Sequence, residues 1–269
     1  MSKKIKELFE ESEFFSRKWN KYFFIYEKLF KDYKDKDITF VEIGIHNGGS
    51  LEIWKKYFSN NSKIIGIDLN EECKKFQKDG IKVEIGNQSD PEFWKSFFLK
   101  YGKVDIILDD GGHTNLDQII TAVNVVNHIN DGGILVVEDT HTSYMKSYNS
   151  SSKYSFIEFS KKNIDDINSK NSYEMRKFNF TISEVVYSIE FYESIVVYRV
   201  DRNQTGVNYL VVNKGKNSNI EDLTWEGNEI NFKKVKKFIL KFKSIVRMNK
   251  LSKFLKNKIN DKILKNFFN

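Results

Sequence analysis

The stretch Val104–Tyr144, VDIILDDGGHTNLDQIITAVNVVNHINDGGILVVEDTHTSY, decides how the chain is read. Two apolar runs, Asp105-Ile106-Ile107-Leu108 and Ile134-Leu135-Val136-Val137, each stop at a pair of carboxylates, Asp109-Asp110 and Glu138-Asp139. Between them, Leu116 to Ile129 carries Ile119, Ile120, Val123 and Val126 at helical spacing. The pattern is strand, acidic loop, crossover helix, strand, acidic loop. A crossover of this length joins parallel strands, whose carboxyl ends then lie side by side. Open α/β sheets bind ligands along that edge, so four carboxylates and His113 are expected to meet there.

Carboxylates packed this closely repel one another and need protons, cationic side chains or a divalent metal to compensate. No Lys or Arg occurs between Val104 and Met145, which favours a metal. An oxygen-rich donor set suits Mg²⁺, with Mn²⁺ or Fe²⁺ as alternatives. The plainer reading makes Asp109 or Asp110 a helix cap and Glu138-Asp139 a solvated turn. Two such pairs on adjacent strand ends, beside a histidine, favour the metal.

Upstream, Ile38 to Ile43 reads as a strand running into Glu42-Ile-Gly44-Ile-His-Asn-Gly48-Gly49-Ser50, with a helix from Ser50 to Phe58. The glycines fall at a strand-to-helix turn, where a ligand can approach the backbone. His46 stands where the dinucleotide fingerprint needs its second glycine, which argues against a nicotinamide cofactor. A second strand, Lys63 to Ile67, ends at Asp68, well placed to accept hydrogen bonds from both hydroxyls of a ribose. After a turn at Gln77 to Gly80 comes a third strand, Ile81 to Ile85, and the loop Gly86-Asn-Gln-Ser-Asp90. Asn87 and Gln88 of that loop are candidates to read the amide-like edge of an adenine. Pro91 starts a helix through Tyr101.

At this point the residues resemble a family. Val41-Glu-Ile-Gly44 with Gly48, then Asp68, then the Gly86 loop, looks like the first three motifs of the class I S-adenosylmethionine-dependent methyltransferases. Asp110-x-x-His113 followed by Glu138-Asp139-x-His141-Thr-Ser-Tyr144 resembles, more narrowly, the metal-dependent macrolide-type sugar O-methyltransferases of mycinamicin and tylosin biosynthesis. The resemblance covers residues 18 to 200. It implies an α/β, Rossmann-like class I methyltransferase fold, a seven-stranded mostly parallel sheet with an antiparallel C-terminal hairpin, here followed by a basic C-terminal helical tail.

The resemblance also implies roles. Asp110, Glu138 and Asp139 occupy the positions of the family's metal ligands, Glu138 standing where some relatives have aspartate. His113 matches the general base; His141 competes for that role and ranks second because His113 shares a loop with Asp110. Glu42, Gly44, Asp68 and Asp109 match positions holding the methionine and ribose portions of S-adenosylmethionine. Asn47, Gly49, Ser50, Asn87 and Gln88 complete the candidate cofactor contacts, Asn87 sitting where many relatives have an acid. The chemistry agrees: a divalent cation lowers the pKa of a sugar hydroxyl, and a neighbouring histidine can take the proton. His128, on the crossover helix, reads as an ordinary solvent-facing residue.

The flanks organise around this centre. Residues 4 to 34 read as one or two helices with Phe9, Phe14, Phe15, Trp19, Tyr22, Phe23, Tyr26, Leu29 and Phe30 at threes and fours, mostly core with a minority facing a cleft. Val185 to Val200 reads as two strands meeting near Glu193, and Phe156 to Ile167 as a helix. SYNSSSKYS at 147–155 reads as a mobile loop, and Asn208 to Asn213 as a further strand or substrate-side appendage. The expected divisions are 1–37, an N-terminal helical segment; 38–215, the methyltransferase domain; and 216–269, a basic amphipathic extension.

Placing the charge sharpens the function classes. Of the formal +7, residues 231–269 contribute +12, from 13 Lys or Arg against Asp261 alone, leaving −5 on the first 230 residues. A basic footprint confined to a tail argues against a nucleic-acid-binding body. Such a tail suits peripheral contact with anionic membrane lipid, packing on its own protein, or a partner subunit in a homo-oligomer. One cysteine, Cys73, excludes an internal disulfide framework. With no long apolar run and no signal-peptide core in MSKKIKELFEESEFF, the expected location is cytoplasmic. The acceptor is expected to be a sugar or nucleotide-sugar, for example a saccharide destined for surface polysaccharide. A metal-dependent catechol-type O-methyltransferase and a non-catalytic tethered adapter are the alternatives.

Overall fold

Alternation of side chains along each strand sends successive residues to opposite faces of one sheet, so two separate cores form. The computed structural model describes residues 3–148, 154–169, 181–206 and 211–216. Residues 1–209 make one compact unit and 210–269 a second; the sheet and its helices belong to the first. The strands are β1 (Thr39–Ile43), β2 (Lys63–Asp68), β3 (Ile81–Ile85), β4 (Val104–Asp109), β5 (Ile129–Val137), β6 (Val186–Tyr192) and β7 (Ile195–Val200). They lie in the order β3-β2-β1-β4-β5-β7-β6, with β3 through β5 parallel and β7 antiparallel to both its neighbours. The seven-stranded sheet with an antiparallel final hairpin is the expected α/β Rossmann-like class I methyltransferase fold.

Among the described residues six α-helices cover the faces: α1 (Ile5–Glu10), α2 (Tyr22–Phe30), α3 (Gly49–Tyr57), α4 (Pro91–Tyr101), α5 (Asn115–Val125) and α6 (Phe156–Ser169). On one side Phe40, Ile64, Ile106, Leu108, Ile134 and Val136 pack with Tyr26, Phe30 and Trp54 of α2 and α3. On the other, Val41, Ile65, Ile107, Leu135 and Val137 pack with Trp94, Phe97, Ala122, Val125 and Phe156 of α4, α5 and α6. The N-terminal segment is therefore part of the sheet's own core. Local chemistry sets the helix starts: Asp90 accepts from Glu92 N at 2.9 Å with Pro91 in the first turn, and Thr114 accepts from Asp117 N at 3.2 Å. Thr114, and neither Asp109 nor Asp110, caps the crossover helix.

Three expectations change. Residues 11–21 form no α-helix; they cross from α1 to α2 as turns and extended chain, leaving Phe15 and Trp19 exposed. Their aromatic spacing comes from lining a cavity mouth, not from a buried helical stripe. His128 is not a bare surface residue: it follows α5 in a one-turn helix and stacks on Phe98 with ring centroids 4.1 Å apart. Residues 211–213 carry no strand, while 207–210, 149–153 of the polar loop and the basic tail from 217 onward lie outside the described residues. Among those described, no helix is long and apolar enough to cross a membrane.

The loop after β1 closes against the loop after β4 through Gly44. Its φ of +85° is open to glycine, and an added Cβ would lie 2.1 Å from the carbonyl oxygen of Asp110. Gly44→Ala should therefore lose about 2–5 kcal/mol of unfolding free energy, backbone strain and overpacking together. Gly132→Ala, at φ +82° with nothing within 4 Å, should cost only the backbone share of about 1–2 kcal/mol; urea denaturation of both variants compares them directly.

Candidate active site

Strand ends at the carboxyl edge of β1, β2, β4 and β5 open into a cavity of about 840 Å³, of a size to admit a nucleoside-sized ligand and an acceptor together. Asp110, Gly111, Gly112 and His113 line it from the loop after β4, and Glu138, Asp139, His141 and Thr142 from the loop after β5. Asp68, Asn70 and Asn87 line the side nearer β2 and β3, and Phe15, Arg17, Lys18 and Trp19 supply a wall from the N-terminal segment. The parallel pairing of β4 with β5, Asp109 opposite Val137, brings the two acidic loops together as expected.

The compensating charge comes from a residue far upstream. The Lys18 ammonium lies 2.5 Å from Asp110 Oδ2, 3.0 Å from Glu138 Oε2 and 3.8 Å from Glu42 Oε1, with its side chain only 5% exposed. Burial alone would push its pKa down, but Asp110 and Glu138 reverse that and hold it well above the ordinary lysine value. Glu138 is wholly buried, hydrogen-bonded by the Tyr26 hydroxyl as well as Lys18. Burial lifts its carboxyl pKa to about 8 against the pull of Lys18. The pair Glu138-Asp139 is thus not a solvated turn. The expectation of no cation near these carboxylates held only for sequence neighbours, and Lys18 overturns it in space.

Asp139 sits at φ +52° and accepts hydrogen bonds from Tyr22 Oη at 2.6 Å and Trp19 Nε1 at 3.1 Å. His113, at φ +56°, places Nε2 3.7 Å from Asp110 Oδ1 and 3.6 Å from Asp139 Oδ2, and its buried Nδ1 has no hydrogen-bond partner among the described residues. One donor atom from each of Asp110, His113 and Asp139 lies within 4.8 Å of the others, a set able to surround an ion. Glu138, the third ligand expected, is directed to Lys18 and Tyr26 instead. His141 Nδ1 is 3.9 Å from Asp139 Oδ1, and its ring meets Trp19 edge-on at 5.9 Å.

At the other end Asp68 Oδ2 accepts from the amides of Ile45 and His46 at 3.1 and 3.0 Å, and Oδ1 from Asn70 N at 2.9 Å. These bonds aim the carboxylate and use three of its four lone pairs, leaving one on Oδ1 to accept from a ligand. Ser50 Oγ donates to Glu42 Oε2 at 2.7 Å, and the fully buried Glu42 has its pKa lifted to about 7 by that burial. Asn47 is at the rim, its amide on His46 Nδ1 at 2.9 Å.

Several candidate cofactor contacts also carry bonds or packing within the protein. The Gln88 amide is consumed inside the protein, donating to both oxygens of Asp109 and to Thr121 Oγ1 and accepting from Gly112 N at 2.8 Å, so only Asn87 of that pair stays exposed at the cavity. Asp109 is buried beneath the loop, held by Gln88 and Gly111 N, and burial raises its pKa to about 6. Gly49 gives room to the N-terminal segment: a Cβ there would stand 2.3 Å from the Phe14 carbonyl oxygen. Gly44 does line the cavity, but its missing side chain admits the Asp110 backbone.

Sequence reasoning missed Lys18, Tyr22 and Tyr26 as site residues. The signal was present: two tyrosines four apart on a buried face must find acceptors for their hydroxyls, and the carboxylate cluster is where buried acceptors are in surplus.

Buried carboxyls with raised pKa values make folding take up protons. Glu42, near 7, and Asp109, near 6, hold protons in the folded chain that unfolded carboxyls release near 4–4.5. The stability they contribute is complete below that range and is lost as pH rises through 6 to 7. In metal-free buffer the urea midpoint should fall from pH 5 to pH 8, each group adding at most about 1.4 kcal/mol per pH unit, and Glu42→Gln should flatten the slope.

No family model matches the sequence. A tetracenomycin-C rhamnosyl 2'-O-methyltransferase of Streptomyces olivaceus is 31% identical over 142 residues, 49% of this chain and 37% of that protein. Mycinamicin VI 2''-O-methyltransferase of Micromonospora griseorubida is 31% identical over 46% of this chain and 32% of its own length. Demethylmacrocin O-methyltransferase of Streptomyces fradiae matches over the same shares at 31%. The matched segment thus spans about a third of these curated relatives. Among solved structures, MycE methyltransferase of the mycinamycin pathway, in complex with Mg and SAH, superimposes with a TM-score of 0.68 at 23% identity, over 77% of this chain and 56% of that one. By strand order and by the placement of its edge loops the chain has the fold of that methyltransferase, and about half of it is similar in sequence to these sugar O-methyltransferases.

Proposed function

We propose that this chain is an S-adenosylmethionine- and divalent-metal-dependent O-methyltransferase acting on a sugar hydroxyl. One observation supports the reading above others: donor atoms of Asp110, His113 and Asp139 converge within 4.8 Å in the same cavity that Asp68 enters from β2. The carboxylates of Asp110 and Asp139 are hard oxygen donors, which fit Mg²⁺, Mn²⁺ or Fe²⁺, and His113 beside them is left to take a proton. Asp110 and Asp139, with Glu138 as third ligand, would hold the ion. It would supply polarisation of an acceptor hydroxyl, making the proton easier to lose.

The chain's own residues do the rest. Asp68, fixed by three backbone amides, accepts from a ribose hydroxyl, and Asn87 reaches the adenine. Glu42, Asn47 and Ser50 flank the methionine end. His113 Nε2, poised between two carboxylates, takes the proton as the acceptor oxygen attacks the sulfonium methyl and S-adenosylhomocysteine leaves. Tyr22 and Trp19 hold the Asp139 carboxylate in place, so that geometry is set before reaction. His46, at φ +43°, blocks the close pyrophosphate approach that a nicotinamide dinucleotide needs.

For the acceptor we propose a nucleotide-activated hexose or heptose, or a saccharide bound for bacterial surface polysaccharide. One relative is named for a rhamnosyl tetracenomycin-C and another for an olivosyl-oleandolide, which supports the sugar hydroxyl as substrate class. We also propose that the methyltransferase domain occupies 38–215, and that the basic extension from 216 onward serves attachment to membrane or protein.

Labelled S-adenosylmethionine with a panel of activated sugars and glycosides, with and without chelator, tests the reading; transfer only to catechols, or transfer indifferent to EDTA, would sink it. Asp139→Asn should abolish metal-dependent transfer yet leave calorimetric affinity for S-adenosylhomocysteine within a few-fold. Asp68→Ala should instead weaken that affinity by about tenfold or more, the worth of a good charged hydrogen bond. His113→Ala should lower kcat by about 10²–10⁴, with His141→Ala milder.

A further inference from the structure

Two side chains of one irregular segment, Lys18 and Trp19, meet the carboxylate cluster, and the proposed reaction gives the more deeply placed of them, Lys18, no task. We infer that Lys18 is a tethered counter-cation seated where the divalent ion binds, so that loading the site is an exchange: the ammonium withdraws as the ion arrives. The inference rests on the proposed metal site and deepens it.

The geometry is that of competition. Lys18 Nζ holds Asp110 Oδ2 at 2.5 Å and Glu138 Oε2 at 3.0 Å, oxygens of two of the three expected ligands. A divalent ion needs the same lone pairs at about 2.0–2.2 Å, and two cations cannot share them in a largely buried site without strong repulsion. The third ligand is engaged from the same segment, because Trp19 Nε1 donates to Asp139 Oδ1 at 3.1 Å. Residues 11–21 thus engage all three ligands.

The segment lies outside the regular frame of the fold. It belongs to no helix or strand. Away from the site it is tied by a side-chain bond from Ser12 Oγ to the Gly49 carbonyl at 3.1 Å, by Phe14 packed edge-on against Phe76 at 5.4 Å and by the exposed Lys21–Glu193 ion pair. Neither the sheet nor α2 need change when Lys18 leaves. Because Phe15, Arg17, Lys18 and Trp19 form a wall of the cavity, withdrawal of Lys18 also reshapes the space offered to the acceptor. Ion binding and acceptor access are coupled through one stretch of chain.

The full-length protein tests this without turnover. Free Mn²⁺ is followed by electron paramagnetic resonance while wild type, Lys18→Met and Lys18→Arg are titrated, and amide exchange is mapped over residues 11–21. Lys18→Met should bind Mn²⁺ at least tenfold more tightly than wild type. Its metal-free melting temperature should be lower, and the gain on adding Mn²⁺ larger. Lys18→Arg, which keeps the charge, should bind Mn²⁺ no more tightly than wild type. In wild type, Mn²⁺ should speed exchange across 11–21; in Lys18→Met it should not. If Lys18→Met folds only with Mn²⁺ present, chelator titration of the loaded protein gives the same affinity ratio. Equal or weaker binding by Lys18→Met, with wild type still binding, overturns the exchange and leaves the metal site standing. An Arg variant as tight as the Met variant overturns it too. No Mn²⁺ binding by any of the three removes the metal site itself.

Discussion

Negative charge gathered at the ends of adjacent parallel strands has to be answered, and the rest of the molecule is arranged around the answer. Glu42 on β1, Asp110 after β4 and Glu138 after β5 project from one edge because parallel strands in register end together. Left alone, each would protonate or drive its loop apart. Lys18, Tyr22, Tyr26 and Trp19 meet the cluster with an ammonium, two hydroxyls and an indole N–H. That polar anchorage draws the N-terminal segment across the edge, and the apolar faces of α1 and α2 then pack on the sheet behind it. A part of the chain read as mostly core packing is also a wall of the site.

Much of this was legible beforehand, for physical reasons that differ by element. The strand ends were legible because apolar runs stop at charges, and the α4 start because Asp90-Pro91 leaves little other choice. The hairpin of β6 and β7 followed from its resemblance and from a turn at Glu193. Residues 11–21 were illegible because the aromatic period that marks a buried helix is also produced by rings lining a cavity. Gln88 and Asp109 are ambiguous for another reason. A polar residue in a ligand-facing loop carries the same letter whether its amide points outward or is spent on a buried carboxylate, and only the packing against Thr121 and Gly112 decides. Lys18 lay 92 residues from its partner Asp110, beyond any local pattern.

The glycines show the same ambiguity of approach. Gly44, Gly48 and Gly49 stand where a cofactor-binding turn needs small residues, yet the atoms nearest their missing side chains belong to Asp110, Phe76 and Phe14. The turn is tight because three other parts of the protein crowd onto it. That crowding keeps the loop rigid and holds Asp68 in the grip of the Ile45 and His46 amides, which is how a turn can serve a ligand without spending its glycines on direct contact.

The sheet order explains why the two halves of the chemistry can share one cavity. Connections run outward from β1 toward β3 on one side and through β4 toward β5 on the other, so the crevice lies at the reversal between β1 and β4. Asp68, Asn70 and Asn87 belong to the first arm and Asp110, His113 and Asp139 to the second. Gly44, between them, lets the two loops close to backbone contact. A ligand read by the first arm is thereby delivered with its far end against the second. If the proposed ion binds, the seat on that arm passes from Lys18 to the metal.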